Sequence, residues 1–337
     1  MVAYYAHSQG FGHCSAAERF CERFPKQALV LTASNYNFNS SVKVMRIPNE
    51  DCEVKHYASM TDNLPKYAHY LPKSQRNLLL RNAKILNTCV ERKINFAMVD
   101  VSVETAIQFR VAGIPYAYHK MMGKRTDEAH QIAFGAAEFL FARYPKQLNF
   151  NNAAFTNKTQ YLGFVSRYEY RENTSTFIRK PHHNTAVLIV AGKGGSSINK
   201  ELIEKLVLQM PECRFTVIGI QCNANKSANI KYVPFTKTLD TIVLEHDVVI
   251  SSCGLNLTAE LLALKNKFIA VPEKRPYQEQ EYICEALVSL GLAVRLDANN
   301  FVETMETYNH LEIAEDLPSY FGTMENLANR NELKNML

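Results

Sequence analysis

No apolar run in the 337 residues approaches the ~20 needed to cross a membrane. The start of the chain also lacks a basic segment followed by an apolar run of signal-peptide length. The eight cysteines, at 14, 21, 52, 89, 213, 222, 253 and 284, form no Cys-x-x-Cys pair and no His–Cys metal spacing. Reduced, mostly buried thiols in a cytoplasmic protein are therefore expected. The net charge of +5 is mild, and no dense basic stripe with interleaved aromatics occurs. That excludes nucleic acid as the expected partner while allowing contact with phosphates or anionic lipid heads. Two nucleotide motifs are also missing. Gly192-Lys193-Gly194-Gly195-Ser196 has its Lys before the last glycines, so it is no P-loop, and Ala16 stands where a dinucleotide fingerprint after Gly10 and Gly12 needs its third glycine.

What is present is a soluble-type composition, 47% hydrophobic and 21% charged, in a chain long enough for two domains. The stretch from Val248 to Leu292 organises the rest. Val248–Ser251 is a β-branched run suited to a buried parallel strand, Ser252-Cys253-Gly254 turns, and Thr258–Leu264 has helical spacing. Phe268–Val271 is a second strand. After a proline-broken loop, a helix runs from Gln280 to Leu290. Strand, turn, helix, strand, loop, helix is the rhythm of a doubly wound α/β sheet, whose ligands bind beyond the carboxyl ends of the strands.

The Gly254 turn, Glu260 within Thr-Ala-Glu-Leu, Val271-Pro272, and Glu279-Gln280 ahead of a helix closed by Leu290-Gly291 resemble the carboxyl-terminal domain of GT-B glycosyltransferases of the family 28 branch. The resemblance implies two doubly wound Rossmann-like domains facing across a cleft, with a nucleotide-sugar on the second. Glu260 would bind the ribose, Glu279 and Gln280 would face the sugar, and Ser252 and Gly254 would border the donor. Phe235 lies where the family reads the nucleobase. The turn Gly194-Gly195-Ser196, at a helix amino end, would offer N–H groups to the diphosphate. Ile283 stands where the family commonly has Asn. No Asp-x-Asp occurs, so neither a metal nor any other cofactor is expected.

The first domain opens with strand Val2–Ala6, a turn through Gly10 and Gly12, and a helix over Ser15–Phe24. His13, at that helix start, is either a capping residue or the group near the acceptor, as the Gly-x-Gly-His resemblance implies. An imidazole is suited to proton transfer near neutrality, so His13 is the candidate base. The family often has Arg three residues after this His; here that position is Ala16, and the nearest Arg is Arg19. Strands are expected at Ala28–Thr32, Val42–Ile47, Phe96–Val101, Tyr116–His119 and Phe139–Tyr144. A basic amphipathic helix over Lys73–Lys93 reads either as a packing helix or as a membrane-surface helix. Asp100 ends a strand, and Arg125, Asp127 and His130 follow another. These residues either border the acceptor or, for Asp127, cap a helix.

Residues 1–165 are expected to form the acceptor-side domain, 166–184 a polar linker, and 185–337 the donor domain, with a tail that can cross back. In the second domain, strands are expected at Ala186–Val190, Phe215–Gly219 and Ile230–Phe235, with helices at Asn199–Gln209 and Thr238–Glu245. The function expected is metal-independent transfer of a sugar from a nucleoside diphosphate, UDP favoured, to the hydroxyl of a glycan or lipid-linked acceptor, with peripheral contact to anionic membrane. A nucleotide-sugar 2-epimerase of the same fold would give an epimerised donor instead of a transferred sugar. A non-catalytic nucleotide-sugar-binding subunit would be inactive without a partner chain.

Overall fold

The computed structural model describes residues 1–8, 11–50, 64–149, 154–170, 185–192, 195–220, 228–236, 238–264, 267–313 and 315–334. The first half is built on β1 (Val2–Ala6), α1 (Phe11–Arg23), β2 (Ala28–Thr32), β3 (Val44–Arg46), α2 (Arg76–Glu91), β4 (Phe96–Asp100), α3 (Val103–Val111), β5 (Tyr116–His119), α4 (Glu128–Ala136), β6 (Phe139–Ala142) and β7 (Thr159–Tyr161). The second half follows with β8 (Ala186–Val190), α5 (Lys200–Gln209), β9 (Arg214–Ile218), β10 (Ile230–Val233), α6 (Leu239–Leu244), β11 (Val248–Ser252), α7 (Leu255–Ala263), β12 (Phe268–Val271), α8 (Glu279–Ser289), β13 (Ala293–Arg295), α9 (Phe301–His310) and α10 (Asn331–Lys334).

Each half closes around one parallel sheet, in the orders β3-β2-β1-β4-β5-β6-β7 and β10-β9-β8-β11-β12-β13. The strands are apolar on both faces because helices cover both. In the first sheet Val2, Tyr4, Val30 and Met98 enter one core layer, while Ala3, Tyr5, Leu29, Leu31 and Val99 enter the other. In the second sheet, Leu188, Val190 and Val249 oppose Val187, Ile189 and Ile250 in the same way. This alternation is the strand period of two.

The strand order reverses between β1 and β4 in the first sheet and between β8 and β11 in the second. These are the topological switch points, where a crevice opens beyond the carboxyl ends. Register places Ala6 beside Asp100 at one of them and Val190 beside Ser251 at the other.

Both α1 and α7 begin earlier than their apolar spacing suggests, at Phe11 and Leu255, so His13 sits inside the first turn of its helix. In α2, Arg81, Ile85, Thr88 and Cys89 are the buried positions. Arg81 fixes that orientation by donating to the Pro48 carbonyl at 2.9 Å. The apolar stripe Leu79, Ala83, Leu86 and Val90 consequently faces solvent, with Leu79 69% and Val90 80% exposed. The basic helix thus does not pack by the apolar face that its sequence offers.

Met122, Tyr144, Leu148 and Phe164 from the first half share one buried cluster with Ile283, Leu287 and Leu317 from the second. Ile283 is fully buried there, so its side chain packs in the core instead of facing a ligand. The tail packs Met324, Leu327 and Leu333 against Tyr4, Phe20 and Ala28 of the first half.

Candidate active site

The first switch point holds a polar network around Asp100, which is fully buried. Oδ1 of Asp100 lies 2.9 Å from His13 Nδ1 and 2.6 Å from His119 Nδ1. Tyr4 donates to Oδ2 at 3.2 Å, and Arg143 Nη2 is 3.4 Å from it. Burial works to raise the Asp100 pKa, but Arg143, His13 and His119 outweigh it and hold the carboxyl well below the usual range. The turn that follows is strained. Val101 has φ 66° and Ser102 φ 119°, and a β-branched residue at positive φ is rare enough to signal a constrained function. Ser102 Oγ then caps α3 by accepting from the Thr105 N–H at 3.2 Å.

Proton positions follow from the donors. Arg143 Nε can only donate, so the His119 Nε2 it touches at 3.2 Å is an acceptor, and His119 carries its proton on Nδ1. Burial, followed by repulsion from Arg143, pushes the His119 pKa down to about 4, so the ring is neutral near pH 7. His13 gives its own Nδ1–H to the same carboxylate, which leaves Nε2 as a lone pair on a ring that retains 17% side-chain exposure. A histidine held in this tautomer by a buried carboxylate can accept a proton from a hydroxyl.

The second switch point lies close to the first. Gly12, in the first turn of α1, approaches Asn256 of α7 so closely that a Cβ on Gly12 would come 2.5 Å from Asn256 Nδ2. Gly254 caps α7, and the first helical hydrogen bond there is Thr258 N–H to the Gly254 carbonyl at 2.9 Å. The preceding amide groups of that helix end point out of the element, as anion-binding helix termini do. Ser252, at the end of β11, is buried beside Gly192.

Glu260, one and a half turns into α7, is neither solvated nor free. Arg167 grips both of its oxygens, Nε at 3.0 Å from Oε1 and Nη2 at 3.1 Å from Oε2. Burial pushes the Glu260 pKa up, against the pull of Arg167. Gln280 is a buried strut. Its Oε1 accepts from the N–H of Cys253 and of Glu273, both at 3.0 Å, and so ties the end of β11 to the end of β12. Phe235 is half-exposed after β10, with its ring against Gly219.

The glycine turn needs a correction. Gly194 lies outside the described residues. The N–H groups of Ser196 and Ser197 donate to the buried Glu273 carboxylate at 2.8 and 2.7 Å. That carboxylate also fills the space beside Gly195. In this arrangement the chain's own carboxylate takes amide groups that the resemblance assigns to the diphosphate.

A third cluster lies where residues 123–130 meet the loop before α8. Lys124 N–H donates to the Tyr277 carbonyl at 2.7 Å, Arg125 reaches Glu279 at 3.4 Å, and the Arg125 guanidinium lies 4.6 Å from the centre of the Tyr277 ring. Gly123, at φ 102°, passes so close to the Tyr277 carbonyl that a Cβ would come within 2.6 Å of it. Tyr277 and Gln278 themselves sit at φ 60° and 54°. Burial pushes the Glu279 pKa up. Asp127 caps α4 and bonds His69 Nε2 and His130 Nδ1, both at 2.7 Å. His130 is 2% exposed and pinned between Asp127 and Arg125, so it cannot border an acceptor as its sequence position suggests. Burial and Arg125 together lower its pKa to about 4.

Among the described residues, His13, Asp100 and His119, and likewise His69, Asp127 and His130, bring ligand-type atoms within 4.8 Å of one another. In each group an arginine donates to the Nε2 of one histidine, whose Nδ1 proton then bonds the carboxylate. Each group is thereby knit together by its own hydrogen bonds.

Sequence reading missed His119, Arg143, Arg167 and Glu273. His119 ends β5 and Arg143 directly follows β6, so the strand-end rule could have found both. Glu273, two residues past β12, was open to the same rule, whereas Arg167 lies in an irregular segment without such a signal.

Residues 185–330 match the family model described as the glycosyltransferase family 28 C-terminal domain. The chain is 25% identical, over 258 residues, to the UDP-N-acetylglucosamine–N-acetylmuramyl-(pentapeptide) pyrophosphoryl-undecaprenol N-acetylglucosamine transferase of Streptococcus suis (strain 05ZYH33), covering 70% of this chain and 67% of that one. The enzyme of the same name from Prochlorococcus marinus (strain MIT 9515) is 24% identical over 313 residues, 83% of this chain and 84% of the relative. Among solved structures, the kitacinnamycin glycotransferase superposes with a TM-score of 0.67 at 12% identity, covering 100% of this chain and 98% of the other. Acinetobacter baumannii MurG gives 0.64 at 13%, covering 99% of each.

Proposed function

We propose that this chain, a nucleotide-sugar-dependent glycosyltransferase of the GT-B fold whose second half is similar to family 28, takes its sugar from a UDP-sugar and passes it to a hydroxyl of a lipid-linked acceptor. The observation that carries this reading is the abutment of the two switch points: the first turn of α1, with His13, meets the amino end of α7 at Gly12 and Asn256. A donor on one side and a base on the other then share one crevice. We take the acceptor-side domain as residues 1–165 and the donor domain as 185–337; most of the linker between them lies outside the described residues.

In the proposed mechanism the ribose hydroxyls take the Glu260 carboxylate in place of Arg167, a charge-assisted pairing. The released guanidinium and the free amides of α7 then face the diphosphate. Phe235 and the end of β10 border the base, while Glu279 and the strut Gln280 border the sugar. His13 Nε2 takes the proton of the acceptor hydroxyl as its oxygen attacks the anomeric carbon. The bond from that carbon to the diphosphate breaks, and the electron pair stays on the leaving nucleotide. Asp100 stabilises the imidazolium that forms. One displacement inverts the anomeric centre. No step needs a metal ion, because cations and amides of the chain answer the leaving charge.

The exposed stripe of α2 supports a lipid acceptor. Leu79, Leu86 and Val90 lie beside exposed Arg76, Lys84, Arg92 and Lys93, the makeup of a helix that rests on an anionic bilayer surface. This favours work at the cytoplasmic face of a membrane.

The purified chain incubated with a panel of UDP-sugars and polyprenyl-diphosphate acceptors tests the reading. A transferred sugar with inverted configuration is expected. An epimerised donor, or activity only after a partner chain is added, would contradict it.

A further inference from the structure

One guanidinium of α1 has an acceptor for only one of its three nitrogens. Arg19 lies in the middle of α1, and its Nη1 donates to Ser15 Oγ at 3.3 Å. Its Nε and Nη2 are buried and have no hydrogen-bond partner among the described residues. Buried donors of a charged group are almost always paired, because leaving them unpaired costs stability. Ala16, one turn earlier, is fully buried. Arg19 is therefore the cation that this helix can offer to the crevice.

Its electrostatic surroundings point the same way. Burial and the charge of Arg143 act to lower its pKa, while Glu260, on the other domain, acts to raise it. Glu260 pairs instead with Arg167, through both of its oxygens, and gives Arg19 no hydrogen bond. Asp100 is likewise taken up by Tyr4, His13, His119 and Arg143. Four guanidiniums, those of Arg19, Arg125, Arg143 and Arg167, thus act on this seam with three carboxylates, Asp100, Glu260 and Glu279. Positive charge is left over where the crevice closes, while the amides of Ser196 and Ser197 already have the Glu273 carboxylate as their acceptor.

We propose that Arg19 binds the diphosphate of the nucleotide-sugar from the acceptor-side domain, completing a cradle formed with the α7 amides and Arg167. This rests on the donor site described above. It gives the orphaned N–H groups the anionic acceptors they lack, and lets the first domain neutralise the leaving group directly. It also ties donor binding to the apposition of the two domains, because one ligand then bridges α1 and α7.

The test uses the full chain as parent, Arg19→Met and Arg19→Lys, each titrated calorimetrically with UDP, uridine and inorganic pyrophosphate, and each melted without ligand. Because the orphaned charge burdens the free protein, Arg19→Met is expected to melt higher by about 2–4 °C. It is also expected to bind UDP and pyrophosphate about ten- to a hundredfold more weakly while binding uridine like the parent. Arg19→Lys should recover part of the loss. Parental affinity for UDP in Arg19→Met overturns the proposal. So does a variant that melts lower and loses uridine and UDP alike, which would assign Arg19 to packing. If the parent binds pyrophosphate in an Arg19-dependent way but not UDP, the donor assignment fails while the anion site stands; a parent that binds neither overturns both.

Discussion

His13 Nδ1 and His119 Nδ1 converge on a single oxygen of Asp100, at 2.9 and 2.6 Å. One carboxylate therefore fixes the tautomer of the partly exposed ring while a second, buried ring holds the carboxylate in place. Asp100→Asn replaces an acceptor of both protons by a group that can turn its NH2 toward one of them. Turnover should fall by about two to four powers of ten, with donor affinity unchanged. Arg143 would lose its carboxylate, so a stability loss of about 3–5 kcal/mol accompanies the change. Thermal melting and single-turnover rates on the folded fraction check both parts.

Acid should destabilise the fold well above the range in which most carboxylates titrate. His119 and His130 are buried with pKa values lowered to about 4, against about 6.5 in an unfolded chain. Both are depressed, so the unfolded state binds the extra protons between these limits. Their stabilisation is complete above pH ~6.5 and is lost as pH falls through about 4. Over that span each contributes on the order of 3 kcal/mol. Melting temperature should rise from pH 4 to 6.5, and His130→Gln should flatten part of that rise. A flat profile in the parent would mean that neither ring is held neutral.

The exposed face of α2 makes a salt-dependent prediction. The chain should sediment with vesicles containing phosphatidylserine and much less with phosphatidylcholine alone, since each surface Lys or Arg adds about 1 kcal/mol near an anionic bilayer. Leu79→Ser with Val90→Ser should weaken binding without lowering the melting temperature, because both side chains face solvent. Equal binding to both vesicle types would return the helix to an ordinary surface role.

Much of the fold is legible in the chain because both-face-buried strands are continuous apolar runs, as in Val2–Ala6 and Ala186–Val190. Helix starts are less so: α1 and α7 begin with polar and glycine-rich turns that carry no periodicity, and β13 and α9 escape notice because each is short or lightly patterned. At the site, sequence position puts Asp100 at a strand end and His13 at a helix start, yet their contact depends on β1 pairing with β4, which are separated by four intervening elements. The face that α2 buries could not be read because it carries a buried Arg81 and Thr88 beside Ile85 and Cys89, while the more apolar stripe faces solvent. The glycine turn misleads for a similar reason. Its occupant, Glu273, is distant in sequence and reaches it through the tertiary fold.

The account divides labour between the domains, and steady-state kinetics of His13→Ala and Glu260→Ala with a saturating acceptor test that division most directly. His13→Ala should lower kcat by about two to four powers of ten and leave the donor KM near the parental value. Glu260→Ala should raise the donor KM about ten- to a hundredfold, the loss of roughly 1.5–3 kcal/mol of charge-assisted ribose contact. The same loss should appear in the affinity for UDP alone, since the ribose belongs to both ligands. A Glu260→Ala variant that binds the donor and UDP as the parent does, or a His13→Ala variant with parental turnover, would contradict the division.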